Sequence, residues 1–331
     1  MGTRSSNRLE LGAQLKMPDF PLWPQCNIGC VFCSNPVEGF RHTTEQYSFD
    51  EIKKKLAGYK RGLRTFVKFD EVRDYFNLTG GEPTIHPDFL KILALIRLEF
   101  PNILIRLLSN GRMFYYIDFA QKTLRIGKTP FEIAIPLFGH DSKTHQSISR
   151  TPQSFEQTTA GLRHLRTHKI PGQKIEIRII LTKIQCKRLE KLIEYLLSEF
   201  SWVDRVVFLY QEIEGFAEHY KEVLKIPMSE AASHLDRHYE ILKKFKEVRL
   251  YHFPLCVVPT RLWPWVWNTL ADFKVTYLES CQSRCLYKNQ CVGIHRSYLR
   301  HSVASDISPI TSPKPVQIGK NPYHPIKGSS L

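Results

Sequence analysis

The chain has 331 residues, a hydrophobic fraction of 42% and a charged fraction of 24%, which suits a globular protein of one large domain plus a small module. No apolar run approaches the roughly 20 residues that span a bilayer, and the opening MGTRSSNRLELGAQLK lacks the apolar core of a signal peptide, so no membrane role is expected and the cytoplasm is the default location. Lys+Arg of 47 against Asp+Glu of 32 gives +15, but the charge is spread through KKKLAGYKRGLR, KTLRIGK and LKKFKEVR without a basic arm; it reads as solvated helix faces, and nucleic acid is not an expected partner.

Residues 1–19 read as an N-terminal extension. CNIGCVFC follows, and then SFDEIKKKLAGYKRGL predicts an amphipathic helix with Ser48 as its N-cap. DYFNLTGGEP reads as a strand running into glycines, PDFLKILALIRLEF as a helix and NILIRLLSNG as a strand. The alternation continues with a helix near YIDFAQKTLRI, a strand at FEIAIPLFG, a helix over SFEQTTAGLRHLRTH and a strand at KIEIRIILTK. A helix over RLEKLIEYLLSEF and a strand at VDRVVFLY complete it.

Strands apolar nearly throughout, each followed by a helix, predict buried parallel strands with crossover helices. About six such units occupy 20–215, too few to close an eight-unit barrel. The expected fold is α/β, a partial (β/α)6 TIM-like barrel with its active site at the C-terminal strand ends, where CNIGCVFC, TGGEP and LLSNG fall. Residues 216–250 read as a helical connection, 251–300 as a small cysteine-rich module, and 301–331, rich in Pro, Ser and Lys, as a tail without fixed structure.

Seven of the eight cysteines fall into two groups: Cys26, Cys30 and Cys33, then Cys256, Cys281, Cys285 and Cys291. In a chain with no export signal such clusters hold metal or do catalysis more often than they form disulfides. Cys186 stands alone at the head of an amphipathic helix and reads as a half-buried thiol. A closed zinc site needs four ligands, and no fourth Cys or His follows the triplet at knuckle distance. Three thiolates on a four-iron cube leave one iron open for a substrate or cosubstrate; zinc stays a rival for the triplet taken alone. Gly80 and Gly81, in LTGGEP, let the backbone come close to a ligand.

The triplet with an aromatic before its last cysteine, then TGGEP, then LLSNG, resembles the radical S-adenosylmethionine (radical SAM) superfamily over roughly residues 20–215. The resemblance implies a SAM-binding [4Fe-4S] cluster on Cys26, Cys30 and Cys33, whose open iron is chelated by SAM, and reductive cleavage of SAM to a 5′-deoxyadenosyl radical that abstracts hydrogen from substrate. It further implies that Gly80, Gly81 and Glu82 bind the methionine amino group, that Phe32 packs near adenine and that Ser109 and Asn110 approach the ribose. Arg178 would face the SAM carboxylate. Ser109-Asn110-Gly111 also makes an ordinary turn, Phe32 an ordinary core aromatic and Arg178 a surface strand residue. Where many relatives carry Ser-Leu-Asp-Gly after the fourth strand, this chain has Pro136 and Leu137.

The later cysteines, Cys256 and then CQSRCLYKNQC after a 24-residue insert, could close a zinc site or ligate an auxiliary [4Fe-4S] cluster. Their CxxxCxxxxxCxG ending resembles the shortened SPASM domain called twitch, which implies the auxiliary cluster. Trp263, Trp265 and Trp267 read as a hydrophobic shell around it more readily than as a stacking surface. IPLFGHDSKTHQSI, EIRIILTK and the cysteine ending are similar to the smaller maturase of His-Xaa-Ser repeat peptide systems. That implies a peptide or protein substrate, an electron donor such as flavodoxin or ferredoxin and a second radical SAM maturase as partner. With about 20 residues before the first strand no leader-binding domain is apparent, and another protein would capture the leader. Radical modification of a small molecule or nucleotide, and a non-enzymatic zinc-bound interaction module, stand as alternatives.

Overall fold

The computed structural model describes residues 19–35, 43–60, 75–267, 275–301 and 306–314. The expected extension up to residue 18, the end of the first expected helix past Lys60 and the expected tail from 315 lie outside them.

Strand β1 (Asp19–Trp23) is followed by α1 (Phe49–Lys60), where the Ser48 hydroxyl accepts the Glu51 N–H at 3.4 Å, as its reading as an N-cap requires. Then come β2 (Tyr75–Gly80), α2 (Phe89–Glu99), β3 (Leu104–Leu108), α3 (Ile117–Gly127) and β4 (Phe131–Pro136). Two helices, α4 (Ser142–Ser149) and α5 (Ser154–His168), precede β5 (Gln173–Leu181); α6 (Lys183–Cys186) and α7 (Leu189–Phe200) precede β6 (Arg205–Tyr210). The six strands are parallel and paired in chain order. Each return runs outside the sheet, so all six C-terminal strand ends gather at one rim.

The sheet does not stop at β6. After α8 (Lys221–Leu224), α9 (Met228–Arg237) and α10 (Tyr239–Leu242), β7 (Val248–Tyr251) and β8 (Val266–Trp267) extend it in parallel to eight strands. The sequence reading placed 248–250 in a helical connection and 266–267 in irregular chain. Four and two residues are too short for apolar alternation to be read, and only pairing to β6 makes them strands.

Beyond them lie β9 (Val275–Thr276), α11 (Glu279–Arg284), β10 (Ile294–His295) and α12 (Arg296–Arg300), with β9 and β10 antiparallel. Residues 306–314, within the stretch read as an unstructured tail, are seated on this module. Ile307 and Ile310 are buried, the Ile310 carbonyl accepts the Leu286 N–H at 2.9 Å, and the Tyr287 hydroxyl accepts the Lys314 N–H at 2.7 Å. Two isoleucines among prolines supply enough apolar surface to dock a segment that composition alone marks as loose.

Below the rim, four strands send buried charges into the barrel. Arg205 Nη1 meets Glu176 Oε2 at 2.8 Å and Glu132 Oε2 at 3.2 Å, and Arg106 reaches Glu132 Oε2 at 3.0 Å and Glu176 Oε2 at 3.1 Å. Burial alone would raise the Glu176 carboxyl; Arg178, Arg106 and Arg205 overrule it and hold the group well below the usual carboxylate range. This paired layer closes the lower barrel and leaves a cavity above it. Among the described residues no helix is long and apolar enough to cross a membrane.

Candidate active site

The cysteine loop 24–35 leaves β1 at the rim and is held by its own small apolar cluster. Ile28 and Val31 pack with Phe138, Ile148, Ile213 and Ala217, and Cys26, Cys30 and Phe32 lie against that cluster. Backbone bonds pin it on two sides. Gly29 and Val31 donate to Ser149 and Ile148 carbonyls at 2.9 and 3.0 Å, and Ala217 donates to the Cys33 carbonyl at 3.0 Å.

The two glycines of TGGEP make the third side. Gly81 donates to the Trp23 carbonyl and Glu82 to the Gln25 carbonyl, both at 2.7 Å. Gly80 has φ +133°, and a Cβ on Gly81 would collide with the Pro24 and Gln25 carbonyl oxygens. The close approach that the glycines permit is thus to the chain's own β1 end as well as to the cavity. Asn35, unremarked in the sequence, donates to the Gly80 carbonyl at 2.8 Å and ties the far end of the loop to the same point.

Glu82 is buried and occupied. Its Oε1 accepts the Thr84 N–H at 3.0 Å, the Thr84 hydroxyl and the Ser109 hydroxyl at 2.8 Å, and its Oε2 accepts the Asn110 N–H at 2.6 Å. Burial raises its pKa while those four donors oppose the rise. Ser109 also accepts the Gly111 N–H at 3.0 Å. The Asn110 side chain donates to Asn27 Oδ1 at 2.7 Å and lies 3.9 Å from Cys26 Sγ. Glu82, Ser109 and Asn110 therefore lock two strand ends to the cysteine loop.

A cavity of about 560 Å³ opens above this framework, within the range of cofactor and substrate sites. Cys26, Cys30, Cys33, Phe32, Gly80, Gly81, Glu82, Ser109, Asn110 and Arg178 all line it. The structure thus brings every residue of the first sequence-derived set to one place. Phe32 meets Phe138 edge-on at 5.0 Å, and the Arg178 guanidinium is paired with Glu176 at 2.7 Å and faces the Tyr251 ring. Sequence reasoning missed Glu212, Glu214 and His252, which line the same cavity from the ends of β6 and β7. A Glu-x-Glu just past a strand end was the available signal.

Cys256, Cys281, Cys285 and Cys291 line one separate cavity, walled by Tyr277, Tyr287, Ile294, Ile307 and Ile310. Burial pushes Cys256 to about 11 and Cys291 to about 12, so without metal these are thiols. Among the described residues, the only three ligand-type side chains with all donor atoms within 4.8 Å of one another are Glu212, Glu214 and His295. All-thiol donors fit an iron-sulfur cluster at both places, three beside a polar open cavity and four around an apolar one. Trp263 is buried beside the second set, edge-on to Tyr287 at 4.9 Å, as a shell residue. Trp265 instead stacks on Tyr239, and Trp267 carries the Arg249 guanidinium.

The radical SAM superfamily model matches residues 20–196, more than half of the chain. The chain belongs to the radical SAM superfamily. It is accordingly a radical SAM enzyme, using a [4Fe-4S] cluster and SAM, on the partial barrel of that family. An auxiliary cluster fits the four later cysteines. No curated protein matches the sequence. Among solved structures, SuiB of Streptococcus suis bound to its precursor peptide SuiA superposes with a TM-score of 0.53 at 13% identity, over 71% of this chain and 49% of that one. The enzyme anSMEcpe with bound S-adenosylmethionine superposes with a TM-score of 0.52 at 17% identity, over 70% of this chain and 64% of that one. The radical SAM chain described here thus corresponds to about half the length of SuiB, and at these identities the likeness is one of fold.

Proposed function

We propose that this radical SAM enzyme is a peptide or protein maturase working in a reducing, cytoplasmic setting. The observation that carries the reading is the rim cavity of about 560 Å³ shared by the cysteine triplet and both strand-end motifs, next to a second four-thiol module. Support comes from SuiB, which was crystallised with a precursor peptide on the same fold. The core would run over 20–215, the helical connection over 216–250 and the auxiliary module over 251–300.

In this reading Cys26, Cys30 and Cys33 hold the cluster, leaving one iron for SAM, and Cys256, Cys281, Cys285 and Cys291 hold the auxiliary cluster. When bound, cluster and SAM supply a 5′-deoxyadenosyl radical that takes a hydrogen atom from the substrate. The chain's own residues position and shelter. The Gly80 and Gly81 backbone would face the methionine amino group, Glu82 braces the turn, and Ser109 and Asn110 would set the ribose side. Phe32 would wall the adenine, and Arg178 would present positive charge to the SAM carboxylate. The apolar cluster of Ile28, Val31 and Phe138 keeps water from the loop. Fully thiol-ligated, the auxiliary site serves electron transfer or structural support rather than substrate chelation. A flavodoxin or ferredoxin is the proposed reductant, and a second radical SAM maturase the proposed partner.

Anaerobic co-expression with short peptides encoded beside the gene, followed by mass spectrometry, tests the reading. A mass change in one peptide that the Cys26→Ala/Cys30→Ala/Cys33→Ala variant does not produce is expected. Modification of a nucleotide or small metabolite, with every peptide untouched, would replace it by the alternative.

A further inference from the structure

Past β6, residues 213–218 touch the cysteine loop on one side and α12 on the other. On the loop side, Ile213 and Ala217 pack with Ile28 and Val31, the Phe216 N–H donates to the Asn35 carbonyl at 3.4 Å and the Ala217 N–H to the Cys33 carbonyl at 3.0 Å. Gly215 holds φ +59°, and a Cβ on it would collide with the carbonyl oxygens of Ser34 and Asn35. The segment therefore bears directly on the backbone that carries Cys33.

On the other side, α12 follows β10 of the cysteine-rich module without a break, since β10 ends at His295 and α12 starts at Arg296. His301, which closes α12, places Nε2 3.2 Å from the Ile213 carbonyl oxygen and 3.0 Å from Glu218 Oε1. A carbonyl and a carboxylate are both acceptors, so Nε2 carries the hydrogen and shares it between them. Arg300 Nη1 reaches the same Glu218 oxygen at 3.4 Å. Tyr298, buried, stands edge-on to Tyr210 at 5.0 Å and donates its hydroxyl to the Tyr210 carbonyl at 3.4 Å, which seats α12 on the end of β6.

The far end of this link belongs to the thiols. The Gly293 N–H donates to Cys291 Sγ at 3.4 Å, and the Tyr277 hydroxyl donates to the Cys291 carbonyl at 3.1 Å. Those bonds join β9 and β10, strands of two residues each, to a cluster ligand. A module with so little regular structure is ordered by what its thiols bind. Its ordered and loosened states would differ in how firmly α12 holds 213–218, and residues 213–218 hold the cysteine loop. Neither Glu218 nor His301 lines the rim cavity, so any effect they have on SAM is indirect.

We propose that Glu218 and His301 are positioning residues for SAM binding: they carry the seating of the auxiliary module to the Cys33 end of the triplet, so that SAM binds more weakly when the auxiliary cluster is missing. The proposal rests on the assignment of the triplet and the four later cysteines to the two clusters, and adds a coupling between the two sites.

The test uses full-length protein prepared without oxygen, with iron counted in every sample and SAM titrated calorimetrically. Cys256→Ala/Cys285→Ala should keep about four irons and bind SAM about fivefold or more weakly than the parent. Glu218→Ala/His301→Ala should keep about eight irons and show the same loss. All four substitutions together should lose little more, because the link is already cut. His301→Gln, which retains an N–H donor, should stay within about twofold of the parent. By linkage, SAM should slow amide exchange across 294–301 in the parent and not in His301→Ala. SAM affinity indifferent to loss of the later cluster, or losses that multiply in the combined variant, overturns the proposal. His301→Ala alone, at a half-buried position, gives the same direction if the double variant folds poorly. Far fewer than about four irons in Cys256→Ala/Cys285→Ala would overturn the assignment of the thiols and the proposal with it. Since no peptide enters the experiment, the result stands apart from the maturase reading.

Discussion

The Glu82 carboxylate accepts the Asn110 backbone N–H at 2.6 Å, and the Asn110 side chain reaches Asn27 on the cysteine loop at 2.7 Å. Two strand ends and the loop that carries the triplet are thereby joined through one buried acid. Glu82→Gln keeps the volume but sets an N–H among donors. With hydrogen bonds to a charged group contributing about 1.5–3 kcal/mol each, the variant should lose roughly 3 kcal/mol of stability and bind SAM at least tenfold more weakly. Thermal unfolding and SAM titration check both, and wild-type affinity for SAM would refute the bracing role.

Gly81 permits backbone contact with Pro24 and Gln25 that no side chain tolerates. Gly81→Ala should push the β1 end outward and empty the triplet while leaving the later cysteines loaded. The expected iron content falls from about eight to about four per chain, measured together with sulfide on anaerobically purified protein.

The four later cysteines organise a module with little secondary structure, two strands of two residues each and short helices. Cys256→Ala/Cys285→Ala should likewise lower iron to about four and, in addition, speed amide exchange across 275–301 and 306–314. Protection unchanged after cluster loss would show that Ile307, Ile310 and Tyr287 hold the module unaided.

His145 is buried, its Nδ1 accepts the Phe138 N–H at 3.3 Å, and burial lowers its pKa to about 4. The unfolded chain, with a histidine near 6.5, binds more protons than the folded one between pH 6.5 and 4. Stability should therefore be flat above about pH 6.5 and fall as pH drops towards 4, by at most about 3 kcal/mol from this group. His145→Gln keeps an acceptor and should flatten the melting curve against pH in that window relative to the parent.

Arg205 touches Glu132, Glu176 and Glu247, at 3.2, 2.8 and 3.0 Å. Arg205→Met leaves two buried carboxylates short of a counter-charge, and breaking such a pair costs about 3–5 kcal/mol. A urea midpoint within error of the parent would show that Arg106 and Arg178 suffice.

How far the sequence reaches can be judged from particular residues. Apolar strands and amphipathic helices made β2 to β6 legible, because burial on both faces leaves a continuous apolar run. Arg106, Glu132, Glu176 and Arg205 were not legible as one network: each interrupts a different strand, and only the parallel register places Arg106 beside Glu132 and Glu176 beside Arg205. β7 and β8 escaped for want of length. The triplet and the two strand-end motifs were legible because their chemistry is local, while Glu212, Glu214 and His252 looked like ordinary polar residues.

Spacing along the chain by itself determined that three thiols stand close enough to share one cluster, and that glycines and a strand-end turn follow at intervals matching β/α units. Those are short-range facts, set by a few bonds of backbone geometry. Whether Cys26 and Asn110 meet, whether Cys256 joins thiols 25 or more residues on, and which charges share the cavity were decided by the sheet. Parallel pairing brings strand ends far apart in sequence to one rim, and no local preference of the chain encodes that proximity.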